Sequence, residues 1–307
     1  MASFGSRTPD PVIIIVEPFG GSTRQHNPNL PFIFGDDAAV TRGDGIFETL
    51  LVAGGHVANF DRHFARFTSS AKRLGLPAPQ LESWKKASAE AVEAWQATFP
   101  GMSPGDVPPA KCVWTYSRGR AATGLPTAWI TINPIAPEVL EQRESGIAVM
   151  TGPRGIDPQA DASVPWAMSS AKTLNYATNM AALRYAKSQG FDDFIFTDSN
   201  PDNPRVLEGA TSTVVIAKKN GRLRTPSTGA DVLKGTTQAA LFEAAQEAGW
   251  KVKEKTIYLS DLYNAESVWL VSSVRMGARV TRLNDTVLPE PDNAAEIQEL
   301  ITKALQA

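Results

Sequence analysis

The segment spanning residues 165–216 constrains the fold of this chain more than any other, because a helix pattern and strand patterns follow one another within it. Apolar residues recur with helical spacing across 177–189, and Gly190 provides a helix stop signal. A short apolar run at 193–198 and a β-branched run ending at Ile216 are typical of buried strands. The segment therefore predicts a helix followed by two buried strands.

Lys172 is the residue of this segment that needs a chemical explanation. The preceding residues, 165–171, are apolar or small and solvate a charge poorly. Because desolvation disfavours the ammonium form, a half-buried lysine tends toward the neutral amine, which condenses with an aldehyde to form a Schiff base. The alternative is a lysine at a helix start whose ammonium group lies in water. In a helix, Lys172, Asn175 and Tyr176 would share one side of the first turn.

Glu208 and Gly209 directly precede the second of these strands. A lysine before a helix, followed by Glu-Gly before a β-branched strand, resembles the core of the fold-type IV pyridoxal-phosphate enzymes. This family includes branched-chain aminotransferases, D-amino-acid transaminases and 4-amino-4-deoxychorismate lyases. The resemblance implies pyridoxal 5'-phosphate as cofactor, with Lys172 carrying it as a Schiff base and Glu208 keeping its pyridine nitrogen protonated. A protonated ring is an electron sink, and an adjacent carboxylate favours that proton.

An Arg-Gly-Asp-Gly turn at residues 42–45 feeds a further predicted strand. By itself this turn is consistent with a hairpin that carries a surface ion pair. It is similar to the N-terminal signature of the same family, above all in the deoxychorismate lyase branch, where it lies on the substrate side of the cofactor. Glu48 follows an aromatic residue here, as in the aminotransferase branches, and the resemblance implies that it contacts the substrate.

Two arginines of the N-terminal half are further candidate site residues. Arg66 lies on a predicted amphipathic helix, and the resemblance implies that it binds the cofactor phosphate, which a guanidinium fork fits well. Arg118 lies in a basic turn between two predicted strands that resembles the substrate loop of the lyase branch, which implies contact with a substrate carboxylate. For both residues the alternative is a solvated surface arginine.

Gly235, Thr236 and Thr237 precede a predicted helix at 238–248. Backbone N–H groups, hydroxyls and the positive end of the helix dipole make such a helix start a seat for phosphate, although an ordinary N-cap is the alternative. The resemblance places the cofactor phosphate at this turn. It also implies a cofactor contact for Tyr176. For Ser273, which ends a predicted strand, it implies a contact with the cofactor phosphate or with the substrate carboxylate.

Charge and cysteine content bound the class of protein. With 30 basic and 32 acidic residues, the net charge of -2 gives no support for a nucleic-acid partner. Three histidines and a single cysteine, Cys112, exclude an internal disulfide and argue against a Cys/His zinc site. The apolar run at 11–16 is too short to span a bilayer and lacks a basic flank. We therefore expect no metal, no membrane segment and a cytoplasmic enzyme.

A length of 307 residues suggests two domains, and Pro134 and Pro137 would stiffen a linker between them. We predict a small N-terminal domain at 1–132, a linker at 133–137 and a large cofactor-binding domain at 138–307. The resemblance implies an α/β (α+β, two-domain) protein of fold type IV with a barrel-like sheet in its larger domain, assembled as a homodimer.

The turn at 42–45 and the segments 172–176 and 267–280 resemble the lyase branch most. This implies a 4-amino-4-deoxychorismate lyase, which eliminates pyruvate and gives 4-aminobenzoate for folate synthesis. A pyridoxal-phosphate transaminase acting on branched-chain or D-amino acids is the alternative. A scaffold or cofactor-carrying protein without turnover is an alternative from another class.

Overall fold

The computed structural model describes residues 9–155, 166, 168, 170–229 and 232–305. The chain divides into two compact units, Met1–Ala136 and Pro137–Ala307. Each unit contains a β-sheet and helices that pack against it, which confirms the predicted mixed α/β class. Over the described ranges, no helix is long and apolar enough to cross a bilayer.

The first unit is built on a six-stranded antiparallel sheet with the strand order β2-β1-β6-β5-β3-β4. Its strands are β1 (Val12–Val16), β2 (Thr23–His26), β3 (Gly45–Ala53), β4 (His56–Val57), β5 (Ala110–Ser117) and β6 (Thr127–Pro134). Its helices are α1 (Ala38–Arg42), α2 (Phe60–Arg73) and α3 (Leu81–Gln96). Phe67 of α2 and Trp84 of α3 pack edge-on at 4.7 Å, and both lie within 6 Å of the Trp114 ring on β5. This buried aromatic cluster fixes both helices on the sheet.

The predicted linker is shorter in the structure than in the sequence analysis. Strand β6 continues through Asn133 and Pro134, where Pro134 pairs with Ala110 of β5. The opposite neighbour, β1, stops pairing at Ile132, so the missing N–H group of Pro134 interrupts no ladder on that side. Pro137 opens helix α4, the position where a proline costs no hydrogen bond.

The second unit is built on a nine-stranded sheet with the order β12-β11-β10-β13-β14-β7-β8-β9 and β15 added to β14. Its strands are β7 (Ile147–Pro153), β8 (Asp193–Thr197), β9 (Val206–Gly209), β10 (Thr213–Lys218), β11 (Arg222–Pro226), β12 (Lys251–Lys255), β13 (Ser267–Ser272), β14 (Met276–Leu283) and β15 (Thr286–Val287). Its helices are α4 (Pro137–Ser145), α5 (Ala177–Ser188), α6 (Thr236–Glu247), α7 (Leu259–Tyr263) and α8 (Ala294–Ala304). The edge strand β9 also lies against β10 and β11, so the sheet curls toward a barrel.

Strand β10 is apolar on both faces because both faces are covered. Val214 and Ile216 belong to an interior cluster that also contains Ile257 and Leu262. Val215, which points to the opposite face, is equally buried. This explains why the sequence reads as a continuous β-branched run rather than an alternating one.

Candidate active site

The lysine segment leads into helix α5. Lys172 is half-buried, and its Nζ lies 5.3 Å from the centre of the Tyr176 ring, within the range of a cation–π contact. The Tyr176 hydroxyl donates to the carbonyl of Ala210 at 3.2 Å, and the Asn179 amide donates to the same oxygen at 2.7 Å. These two hydrogen bonds hold the start of α5 against Ala210, which lies two residues after Glu208.

The Glu208 carboxylate, on β9, is held by two donors. Its Oε1 accepts a hydrogen bond from Nη2 of Arg154 at 2.6 Å, and its Oε2 accepts one from the backbone N–H of Leu233 at 3.1 Å. The Arg154 guanidinium also lies 4.6 Å from the centre of the Phe196 ring. Each carboxylate oxygen keeps a further lone pair, so the group can accept from a ring N–H without losing these contacts.

Arg154 was missed by the sequence analysis. It lies 54 residues before Glu208 and just beyond the end of β7, where its own backbone N–H donates to Thr197. The parallel pairing of β7 with β8, and the pairing of β8 with β9, bring the two residues together. A contact made across three strands cannot be predicted from the local sequence around either residue.

The residues predicted to seat the phosphate lie together at the start of α6. Helix α6 begins at Thr236, two residues earlier than predicted, and its N-cap residue is Gly235, which has no side chain with which to cap it. The buried hydroxyl of Thr237 lies 3.4 Å from that of Ser273, at the end of β13. A Cβ atom on Gly235 would lie 2.4 Å from the Thr213 hydroxyl, so this close approach requires glycine. Buried hydroxyls beside a helix N-terminus fit a phosphate group.

In the first unit, Glu48, His63 and Arg66 form a buried cluster. Glu48 is fully buried on β3, and its two oxygens accept hydrogen bonds from Arg66, from Nε at 2.7 Å and from Nη2 at 2.6 Å. His63, one turn before Arg66, has its Nδ1 2.8 Å from Oε2 of Glu48. Burial acts to raise the pKa of Glu48, but the charge and hydrogen bonds of Arg66, together with His63, outweigh it and lower that pKa to about 2.

The substrate contact expected for Glu48 from the sequence remains a prediction, and the structure shows its carboxylate fully buried. A carboxylate without solvent exposure, bound by a bidentate arginine and a histidine, is well suited to positioning those side chains. We propose that Glu48 orients the Arg66 guanidinium. The phosphate contact of Arg66 itself remains a prediction.

The Arg118 side chain forms hydrogen bonds at the end of a helix. Its Nε donates to Asp44 at 2.6 Å, and its Nη2 donates to the carbonyl of Leu74 at 2.5 Å, at the C-terminus of α2. A cation in this position satisfies exposed helix carbonyls and complements the helix dipole. A substrate carboxylate would compete with Asp44 for this side chain, and the substrate role of Arg118 remains a prediction.

The region around the Arg-Gly-Asp-Gly turn contains a short helix that the sequence analysis did not predict. Helix α1 is capped by Asp37, whose Oδ1 accepts from the backbone N–H of Ala39 at 2.8 Å. It ends at Gly43, which adopts a φ of 66°. Asp37 is fully buried and also accepts hydrogen bonds from Ser117 and Thr127, so it joins this helix to β5 and β6.

The Amino-transferase class IV family model matches residues 45–283, and this chain belongs to that family. Its members are pyridoxal-phosphate enzymes, which confirms the predicted family and, at the level of the family, the predicted cofactor. The half-buried Lys172, the anchored Glu208 and the hydroxyls at the start of α6 fit this cofactor.

Curated and solved relatives cover nearly the whole chain. A bifunctional aminodeoxychorismate lyase / D-amino acid transaminase of Mycobacterium tuberculosis is 38% identical over 91% of this chain and 95% of its own. The PLP-bound form of a hypothetical aminotransferase from Mycobacterium tuberculosis is 37% identical, with a TM-score of 0.88 over 96% of this chain and 98% of that one. A fold IV transaminase from Curtobacterium pusillum is 34% identical, with a TM-score of 0.86 over 96% and 97%.

Proposed function

We propose that this chain is a 4-amino-4-deoxychorismate lyase that uses pyridoxal 5'-phosphate to eliminate pyruvate and release 4-aminobenzoate, a precursor for folate synthesis. The observation that carries the proposal is the similarity, over 91% of the chain, to a relative whose name contains this activity. The sequences of residues 42–45, 172–176 and 267–280, which resemble those of the lyase branch, also support it.

Lys172 is the proposed proton carrier. When bound, pyridoxal phosphate supplies an electron sink for the charge that remains on the substrate carbon after deprotonation. The Lys172 amine removes the proton from the carbon that bears the nitrogen, and the C–O bond to the enolpyruvyl group breaks as the ring becomes aromatic. Lys172 then returns a proton to the methylene carbon of the departing group, which leaves as pyruvate.

The remaining residues have supporting roles in this proposal. Glu208, fixed by Arg154 and by the Leu233 N–H group, would face the pyridine nitrogen. Thr236, Thr237 and Ser273 would hold the phosphate, with Tyr176 and Arg66 as further cofactor contacts. Arg118 is the candidate for a substrate carboxylate.

The test is to incubate the purified holoenzyme with 4-amino-4-deoxychorismate and to measure 4-aminobenzoate by fluorescence and pyruvate by a coupled dehydrogenase. We expect both products in equal amounts, and neither from Lys172→Ala. Glutamate formation from an amino acid and 2-oxoglutarate, without any 4-aminobenzoate from the first substrate, would reject the lyase.

Transamination of a D-amino acid is the second candidate function, because the same relative carries both activities in its name. Both reactions begin with proton removal by the same lysine, so one site can support both. D-alanine and L-leucine, each supplied with 2-oxoglutarate, separate a D-specific from a branched-chain transaminase. A protein that binds the cofactor but turns over none of these substrates would instead be the non-catalytic carrier considered above.

The homodimer implied by the resemblance and the cytoplasmic location expected from the sequence belong to the same proposal. Light scattering coupled to size-exclusion chromatography measures the oligomeric state directly. A mass of twice 33.0 kDa is expected, and a monomer at micromolar concentration would contradict it.

A further inference from the structure

One face of three neighbouring strands in the second unit carries a concentration of positive charge. Register places Lys218 of β10 opposite Arg222 of β11, Arg222 opposite Lys251 of β12, and Arg224 opposite Lys253. Paired residues share a face of the sheet, and Lys255 follows Lys253 on that face with the period of two. We refer to this set as the basic face: Lys218, Arg222, Arg224, Lys251, Lys253 and Lys255.

The charges of the basic face are poorly compensated. Lys218 forms an ion pair with Asp261 of α7 at 3.1 Å. Within the described ranges, none of the other five cations lies within ion-pair distance of an acidic side chain, and of these five Lys255 interacts electrostatically with Asp261 at longer range. Like charges directly opposite each other on a sheet are destabilising. The arrangement therefore carries an energetic cost in a chain whose overall net charge is only -2.

The two arginines of the basic face are held in position by backbone carbonyls. The Nε of Arg222 donates to Lys219 at 2.9 Å, and Nη1 of Arg224 donates to Leu223 at 3.0 Å and to Lys251 at 3.2 Å. Both side chains are only partly exposed. Their placement is thus fixed before any ligand arrives, which lowers the entropic cost of binding.

A groove opens beside these side chains. It has a volume of about 190 Å³ and is lined by four members of the basic face, by Asp261, and by Ile216 and Ile257 of the buried interior cluster. Pockets for drug-sized ligands are larger, roughly 300–1,000 Å³. The groove therefore fits a small ligand, and the four basic side chains that line it favour an anion. None of the proposed cofactor-binding or catalytic residues lines it.

Two simpler explanations do not account for the basic face. Lysines on β12 can protect an edge strand from pairing with other chains, but Arg222 and Arg224 lie on β11, an inner strand. A second copy of this chain is not a suitable occupant, because a two-fold contact would bring the basic face against itself.

We infer that the groove binds a small multivalent oxyanion, held by Arg222, Arg224, Lys218 and Lys255, at a site separate from the cofactor. Bidentate arginines and flexible lysines together suit an anion that carries several phosphoryl or carboxylate oxygens. Asp261 opposes such a ligand, so its charge sets a limit on the affinity.

The test is to titrate the purified holoenzyme with pyrophosphate at constant ionic strength, with binding measured by calorimetry. The holoenzyme is used so that the cofactor fills its proposed phosphate site at α6 and the added anion cannot bind there. We expect saturable binding with one site per chain. The double variant Arg222→Gln/Arg224→Gln should weaken it at least tenfold, whereas Asp261→Asn should tighten it. Lys72→Gln/Lys85→Gln, which removes two exposed lysines of the first unit, is the matched control and should leave the affinity unchanged.

A parallel titration with citrate distinguishes polyphosphate from polycarboxylate ligands, and saturable binding of either that responds to the arginine variant supports the site. Two results would overturn the inference. One is a calorimetric signal for both anions that is no larger than the signal for sodium chloride at equal ionic strength. The other is saturable binding with the same affinity in the arginine double variant.

Discussion

The Glu48 carboxylate and the Arg66 guanidinium form a two-pronged ion pair, at 2.7 Å and 2.6 Å, with no solvent exposure of the carboxylate. Removing one partner of a buried pair leaves the other charge uncompensated, at a cost of about 3–5 kcal/mol. We therefore expect Glu48→Gln to lower the free energy of unfolding by about that amount in urea denaturation. Asp36→Asn, which removes an exposed partner of Arg120, should leave it nearly unchanged. Equal losses in the two variants would contradict this account.

The same cluster predicts how stability depends on pH. Because the folded pKa of Glu48, about 2, lies below its usual value of 4.5, its stabilisation is complete above pH 4.5 and is lost as the pH falls toward 2. The shift corresponds to about 3 kcal/mol. The difference in unfolding free energy between the native protein and Glu48→Gln should thus shrink as the pH falls from 5 to 2. A difference that stays constant over that range would show that the Glu48 charge is not the stabilising feature.

Arg154 is expected to matter through Glu208. Arg154→Gln removes a charge-assisted hydrogen bond worth roughly 1.5–3 kcal/mol and leaves the Leu233 contact in place. If the glutamate keeps the cofactor ring protonated, turnover at saturating cofactor should fall roughly tenfold to a hundredfold, and the absorbance spectrum of the bound cofactor should change. Arg205→Gln, which removes an arginine 3.7 Å from Asp198 in the same unit, is the control. An unchanged spectrum and rate in Arg154→Gln would remove Arg154 from the site.

The hydroxyl pair at the start of α6 can be tested with two forms of the cofactor. Thr237→Val removes the hydroxyl that lies 3.4 Å from Ser273 and nearly preserves the shape of the side chain. We expect affinity for pyridoxal phosphate to fall roughly tenfold, the value of about one hydrogen bond, with no change for pyridoxal, which lacks the phosphate. Thr225→Val, whose hydroxyl bonds the Val214 carbonyl, should not discriminate between them. Equal losses for both forms in Thr237→Val would place the phosphate elsewhere.

Local pattern predicted much of the fold around Lys172. Helix α5 ends one residue from its predicted limit, and β8 falls within the predicted strand. The helix has a clear apolar period, the strand is a short apolar run, and a glycine lies between them. Pro134 misled the prediction of the linker, since the sequence does not reveal that the β1 side of its strand is unpaired.

The contacts that hold the candidate site were less accessible to the sequence. Arg154 reaches Glu208 only through the order of three strands. Glu48 lies in a strand that was predicted after the turn, but the sequence gives no sign that its carboxylate is buried. The sequence does place His63 and Arg66 one turn apart on the predicted helix, because residues three apart share one side of a helix. Their common partner, Glu48, lies on another element, so the contact with it could not be predicted from the sequence.

Borohydride reduction followed by peptide mass mapping shows whether the amine of Lys172 bonds the cofactor. Reduction makes a Schiff base permanent, so the near-visible absorbance of the holoenzyme should disappear and the peptide containing Lys172 should retain the reduced cofactor. Lys172→Ala should show neither signal. Attachment to another lysine, or no attachment in a protein that still binds the cofactor, would rule out Lys172 as the residue that bonds it.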